Sequence, residues 1–282
     1  MADFRPRRTL LYLPAANARA IEKARALPAD TIILDLEDAV APDAKAEARV
    51  AALAAANSGN WGGREVAIRM NGLATRWAEA DFAAAATSAA ALLVLPKVEN
   101  AAEAARAVAM AQGKPVWAMI ETPRGIQQVD AIADTPGIHG LIAGFADLGK
   151  DLRARPGADR LPLLYAASRI VNAARASHIL AFDGVFTDIG NSEGLAAEAA
   201  QALSLGFDGK TCIHPDQLAI VNRAFSPTKA DIAHAHGLIA AHKEAMASGK
   251  AVATFKGRMI ELLHVAEAER TLAVAALLAK AD

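Results

Sequence analysis

Short apolar runs recur along the chain, and nearly every one ends in charged or carboxylate residues. Thr31–Leu34 leads into Asp35, Glu37 and Asp38. Glu65–Ile68 leads into Arg69 and Asn71, and Ala91–Leu95 into Lys97 and Glu99. Val116–Ile120 stops at Glu121, and Leu141–Phe145 stops at Asp147. Between these runs lie Ala-rich stretches with charges at helical spacing, which predict helices alternating with strands. The predicted strands are Thr9–Leu13, Thr31–Leu34, Glu65–Met70, Ala91–Leu95, Val116–Glu121, Gly140–Ala143, Ile179–Val185 and Gly209–Ile213. The clearest helices are Asn17–Leu27 with Asn17 as cap, Pro42–Asn57, Ala101–Gln112, Ser192–Leu205, and one that opens at Thr122–Pro123 and runs to Ala133. A long polar loop is expected over Gly149–Pro162.

Eight β/α repeats in series predict a closed parallel (β/α)8 barrel over residues 1–225. An open doubly wound sheet is the alternative, but no Gly-x-Gly-x-x-Gly follows any strand. A parallel barrel gathers the C-terminal ends of its strands on one face, so acids and bases scattered in sequence converge there. That pattern predicts an enzyme. Residues 226–282 form an expected appendage: a helix from Ser226–Pro227 that Gly249 breaks, an extended stretch around Lys256–Gly257, and a last helix. Its expected role is a lid, an oligomer arm, or both.

Composition narrows the picture. Alanine accounts for the contrast between 54% hydrophobic and only 5% aromatic residues, and it favours closely packed helices. A net charge of −1 gives no electrostatic case for nucleic acid or an anionic membrane. The single Cys212 excludes an intramolecular disulfide framework and reads as a buried, inert thiol. Phe82–Pro96, the longest uncharged stretch, is too short and too rich in Ala, Thr and Ser for a membrane helix, so the expected location is the cytoplasm.

Glu121 and Asp147 form the sharpest candidate pair. Two carboxylates at one barrel mouth suit Mg2+, which takes few protein oxygens and keeps water or substrate in its remaining positions. The alternative is a helix-capping Asp and a salt-bridged Glu. Asp35 and Glu37 share a face if the strand continues, and with Asp38 they either act directly or form a salt-bridge lattice with Arg69 and Lys97. Arg69, placed on one face with Asn71, offers a planar fork for a carboxylate or an enolate oxygen. Lys97 is surrounded by acids that hold it charged, which disfavours imine chemistry. His214, ahead of Pro215, reads as a general base or a turn histidine, and His234, His236 and His242 lack the spacing of a zinc site.

These segments also carry a family likeness. Arg8–Pro14 (RTLLYLP), Asp35–Pro42 (DLEDAVAP), Arg69–Asn71, Pro96–Glu99 (PKVE), Ile120–Thr122, Gly144–Leu148 (GFADL), Asp183–Val185, Gly206–Pro215 (GFDGKTCIHP) and Gly257–Glu261 (GRMIE) occur in order over almost the whole chain. In them the sequence resembles the citrate lyase β-subunit-like group of CoA-ester lyases in the HpcH/HpaI aldolase superfamily. The resemblance implies a phosphoenolpyruvate/pyruvate-type TIM barrel with Mg2+ (or Mn2+) on Glu121 and Asp147. It implies Arg69 at the substrate carbonyl and carboxylate. It places Tyr12, Pro14 and Lys23 near a CoA thioester, and gives Glu261 on the tail as the proton donor. It also implies a homo-oligomer, a trimer or hexamer, in which the tail covers a neighbour's site. The expected reaction is cleavage of a malyl-CoA, methylmalyl-CoA or citramalyl-CoA type ester to acetyl-CoA or propionyl-CoA plus a 2-keto acid. A citryl-thioester lyase acting on an acyl-carrier protein, an aldolase for free hydroxy-keto acids, and a non-catalytic CoA-ester-binding relative are the alternatives. Ala15, Asn17 and Glu261 depart from the family pattern, where glycine, a basic residue and aspartate are common.

Overall fold

The computed structural model describes residues 5–248 and 252–281. The described chain divides into two compact units, Arg7–Phe225 and a second made of the residues from Ser226 onward together with Arg5 and Pro6.

The first unit is a closed barrel of eight parallel strands. It runs β1 (Thr9–Pro14), α1 (Ala18–Ala24), β2 (Thr31–Asp35), α2 (Lys45–Asn57), β3 (Glu65–Arg69), α3 (Ala78–Ala86), β4 (Leu92–Leu95) and α4 (Ala101–Met110). It continues with β5 (Val116–Ile120), α5 (Pro123–Ala133), β6 (Ile138–Ala143), α6 (Phe145–Asp151), α7 (Leu164–Ala176), β7 (Leu180–Asp183), α8 (Ser192–Leu205), β8 (Gly209–Cys212) and α9 (Leu218–Ala224). Strand β8 returns to β1 with Thr9 opposite Lys210, which closes the ring and leaves no sheet edge. The fold is therefore a TIM barrel, as the repeat pattern predicts.

Side-chain alternation splits the core in two. Leu10, Ile33, Ala67, Val94, Trp117, Ile142 and Phe182 point inward and fill the barrel. The outward residues pack against helix faces built largely of alanine, including Ala48, Ala52, Ala104, Ala107, Ala199 and Ala202, whose small side chains let the helices approach the strands closely. Helix starts follow ordinary capping chemistry. Asn17 accepts from the Ala20 N–H, and Thr122 accepts from the Gly125 N–H with Pro123 at the first helical position. Cys212 is fully buried, and burial pushes its thiol up to about 12, which makes it inert.

Two expectations change. Strand β6 ends at Ala143, as expected, but Phe145 already opens a helix, α6, that the sequence pattern does not show. Residues Gly149–Asp151, expected in a loop, complete that helix. The second is α9, a separate helix that the sequence reading folded into the end of the barrel.

The second unit contains α10 (Lys229–Ala247), an antiparallel hairpin of β9 (Ala253–Phe255) and β10 (Arg258–Ile260), and α11 (Leu262–Ala281). Thr228 and Asp231 form a reciprocal capping box at the start of α10. The expected break at Gly249 lies outside the described residues. No helix among the described residues is long and apolar enough to cross a membrane.

Candidate active site

A cavity of about 430 Å³ opens at the C-terminal end of the barrel strands and is lined by Tyr12, Pro14, Asp38, Arg69, Glu121 and Asp147 among others. Asp35 and Arg69 end neighbouring strands in direct register. Arg69 binds Asp35 through a bidentate fork, Nε to Oδ1 and Nη2 to Oδ2, both at 2.7 Å. Its remaining nitrogen, Nη1, lies 3.1 Å from Glu37 Oε2 and 3.3 Å from Asp38 Oδ2. The guanidinium carbon sits 4.7 Å from the centroid of the Tyr12 ring. Burial disfavours the charge on Arg69, but the Asp35 hydrogen bonds and charge outweigh it and hold its pKa above the ordinary arginine value. The result is a fixed cation with one edge at the cavity.

The acidic turn after β2 departs from the expected shape. The strand stops at Asp35, so Glu37 and Asp38 lie on a turn rather than alternating along a strand. Asp35 shapes this turn by accepting from the N–H groups of Glu37 (2.8 Å) and Ala39 (3.0 Å). Lys45, which the sequence reading overlooked, braces it from beneath: its buried ammonium donates to the carbonyls of Leu36 and Glu37. Burial lowers the Lys45 pKa. Asp38 lines the cavity, whereas Glu37 is turned to the Lys97 ammonium at 2.5 Å. Burial raises the Glu37 pKa, while the Asp38 pKa is lowered because the Glu37 hydrogen bond and Arg69 outweigh partial burial. Asn71 was expected to share a face with Arg69. Instead, β3 ends at Arg69, and Asn71 Nδ2 donates to buried Asp81 at 2.6 Å.

Glu121, 2% exposed, follows β5. Its Oε1 accepts the Lys97 N–H at 2.7 Å. Lys97 adopts φ 54°, a left-handed conformation unusual for a residue with a side chain. Burial raises the Glu121 carboxyl to about 7, and the charge of Lys97 only partly offsets this. Gly144 stands beside Glu121 because its N–H donates to the Ile120 carbonyl at 3.0 Å, which extends the β5–β6 pairing by one residue. A Cβ on Gly144 would overlap the Glu121 side chain, with Oε2 at 2.5 Å. Gly144→Ala is therefore expected to displace this carboxylate and weaken Mg2+ binding at least about tenfold, measured by calorimetry, while the protein stays folded. Unchanged affinity would separate Glu121 Oε2 from the metal.

Asp147 lies in the first turn of α6 rather than at the end of a strand. Lys97 Nζ reaches Asp147 Oδ2 at 3.8 Å and thereby bridges the two halves of the site. Among the described residues no set of three or more His, Cys, Asp or Glu side chains forms a metal cage. Two carboxylates at an open cavity fit Mg2+, whose other positions are filled by water or substrate oxygens. The buried Glu121, only partly offset by Lys97, is the group such a cation would neutralise.

Tyr12 and Pro14 line the cavity, but Lys23 is exposed on α1 and does not. Burial raises the Tyr12 pKa and keeps the phenol neutral, and its hydroxyl donates weakly to Met119 Sδ at 3.6 Å. Glu261 is exposed between β10 and α11, where its N–H donates to His264 Nδ1 at 3.0 Å. His214 caps the turn at Pro215–Gln217 through its side chain, the role of a turn histidine.

The chain was compared with known proteins. Residues 8–215 match the model of the HpcH/HpaI aldolase/citrate lyase family, and residues 160–278 match a C–C bond lyase family of the TIM-barrel fold. A (3S)-malyl-CoA thioesterase of Cereibacter sphaeroides is 42% identical over 97% of this chain and 96% of its own length. An L-malyl-CoA/β-methylmalyl-CoA lyase of the same species is 33% identical over 94% of this chain and 93% of its own. The crystal structure of CitE from Mycobacterium tuberculosis with magnesium, acetoacetate and coenzyme A superimposes with a TM-score of 0.82 at 32% identity, covering 98% of this chain and all of that one. The chain therefore belongs to the HpcH/HpaI aldolase/citrate lyase family, within its citrate lyase β-subunit-like branch of CoA-ester enzymes.

Proposed function

We propose that the barrel cavity is a divalent-metal site that cleaves the carbon–carbon bond of a 3-hydroxy-3-carboxyacyl-CoA of the malyl type, releasing acetyl-CoA or propionyl-CoA and a 2-keto acid. The observation that carries this reading is the pairing of opposites across one cavity. A buried carboxylate with one oxygen tied to Lys97 shares it with a cation locked in place by Asp35. A Mg2+ held by Glu121 and Asp147 would polarise the substrate's hydroxyl and carboxylate oxygens and acidify the hydroxyl. Asp38, the ionised acid of the turn that lines the cavity, accepts the hydroxyl proton. The C–C electron pair then passes into the thioester, and Arg69 holds the oxygen on which charge develops. Glu261 supplies the proton to the resulting carbanion carbon. Tyr12 and Pro14 bound the cavity on the thioester side, Lys23 serves the CoA portion from outside it, and the protein works as a trimer or hexamer.

The 42% identity to a (3S)-malyl-CoA thioesterase favours a second reading, hydrolysis of the same ester. Arg69 would then face the oxyanion formed when water attacks the thioester. Product analysis separates the two. Malyl-CoA, β-methylmalyl-CoA, both citramalyl-CoA enantiomers and citryl-CoA are incubated with Mg2+ or with EDTA. Lyase action gives acetyl-CoA or propionyl-CoA plus a keto acid, whereas hydrolysis gives free CoA and the intact hydroxy acid. Turnover that survives EDTA unchanged would overturn the metal-dependent reading of both.

A further inference from the structure

We infer that a buried charge cluster outside the cavity positions the helix that carries Asp147, with Arg160 as the positioning residue; the inference rests on Glu121 and Asp147 being the metal ligands. Alternation along β7 and β8 turns Phe182 into the barrel and Asp183 and Lys210 outward, beneath α8. Both Asp183 and Lys210 have no exposure at all. Lys210 Nζ donates to Asp183 Oδ2 (2.7 Å), Glu198 Oε1 (2.6 Å) and the Gly184 carbonyl (2.6 Å). Arg160 reaches in from the connection between α6 and α7. Its Nη1 contacts both Asp183 oxygens, at 2.8 and 2.9 Å, and its Nε donates to Gln201 Oε1 at 2.8 Å. Two cations and two carboxylates balance one another, so nothing in the cluster is left over for catalysis.

What the cluster touches next is Phe145, the first residue of α6. The Arg160 guanidinium carbon lies 5.6 Å from the Phe145 ring centroid. Arg160 Nη2 is buried and has no hydrogen-bond partner, so the guanidinium stays free to lie over this ring. Gly184 also approaches so closely that a Cβ there would stand 3.1 Å from Phe145 Cδ2 and 2.9 Å from the Ala143 carbonyl. Gly184 is itself held by Lys210. Phe145 is thus close to a cation and to a backbone segment that are both tied to the same buried carboxylate, Asp183, Gly184 through Lys210. Two residues on, Asp147 enters the cavity. Arg160 itself is held at φ 53°, and its loop is fixed to α8 because Gln201 Nε2 donates to the Asp159 carbonyl at 2.7 Å. An outer-shell contact of this kind sets the orientation of a metal-ligating carboxylate.

The test uses the full-length protein with Arg160→Lys, which keeps the charge but loses the fork and the stack, and Phe145→Leu, which leaves the ion cluster intact. Mg2+ affinity is measured by calorimetry, and amide hydrogen exchange is followed over 145–151 and over the distant helix 45–57. Both variants are expected to raise the Mg2+ dissociation constant about tenfold or more and to speed exchange in 145–151 alone. Unchanged affinity and exchange in a folded variant would overturn the inference. So would a uniform rise in exchange across the barrel, which would mark a purely structural role. If the wild-type protein binds no Mg2+, the metal reading fails separately, and exchange over 145–151 alone decides whether Arg160 positions this helix.

Discussion

Glu121→Gln is expected to make the metal-free protein more stable at pH 8 while abolishing Mg2+-dependent turnover. Burial, with a smaller contribution from the Glu37 charge, raises this carboxyl from its ordinary 4.5 to about 7 against the opposing charge of Lys97. A group whose folded pKa is raised favours the fold while it is protonated and loses that advantage as pH rises through the folded value. Below about pH 4.5 Glu121 is therefore protonated whether the chain is folded or not, and it carries no penalty. Between 4.5 and 7 the penalty grows, and above 7 it is complete, reaching up to about 3 kcal/mol. Glutamine is neutral throughout, has nearly the same shape, and keeps an acceptor for the Lys97 N–H. Its stability advantage should hence be several degrees in melting temperature at pH 8 and disappear below pH 4.5. Added Mg2+ should raise the wild-type melting temperature by mass action and leave the variant unmoved. A variant less stable than wild type at pH 8 would mean that the ionised carboxylate anchors the fold rather than a cation.

The barrel was legible because its strands are buried on both faces and read as short apolar runs, as in β2 and β5. Legibility failed where one element passes into the next without a polar break. The end of β6 at Ala143 was legible, but the helix start at Phe145 was not, because Gly144 offers no capping side chain and its role is spatial: it makes room for Glu121. The candidate residues were mostly visible as acids and bases at strand ends, but their partners were not. Arg69 and Asp35 are 34 positions apart and meet only through the parallel register of β2 and β3. Asn71 turns away to Asp81 because the strand stops at Arg69. Lys45 and Arg160 gave no signal. One sits in an ordinary charged helix start and the other in a polar loop, and each acquires meaning only from the buried carbonyls or carboxylates that the fold brings to it.

Arg69→Lys is expected to lower kcat by about 10²–10³-fold with only a small loss of stability. Arginine performs two tasks here at once. Two of its nitrogens hold Asp35, and the third faces the cavity beside Asp38. An ammonium on a flexible stem has no planar fork and cannot do both. It can still neutralise Asp35, which also accepts from the Glu37 and Ala39 N–H groups and so keeps the acidic turn in shape. The charge balance of the site survives, but the fixed direction of the third nitrogen does not. Arg69→Met is different in kind. It leaves Asp35, 1% exposed, as an uncompensated buried charge beside Glu37 and Asp38, and should cost about 3–5 kcal/mol of stability. Comparing the pair separates the tasks: urea denaturation reads the counter-ion role, and kcat measured at saturating Mg2+ reads the oxygen-stabilising role. If Arg69→Lys kept turnover within a few-fold of wild type, Arg69 would be a structural partner of Asp35, and the developing negative charge would have to be met by another group lining the cavity.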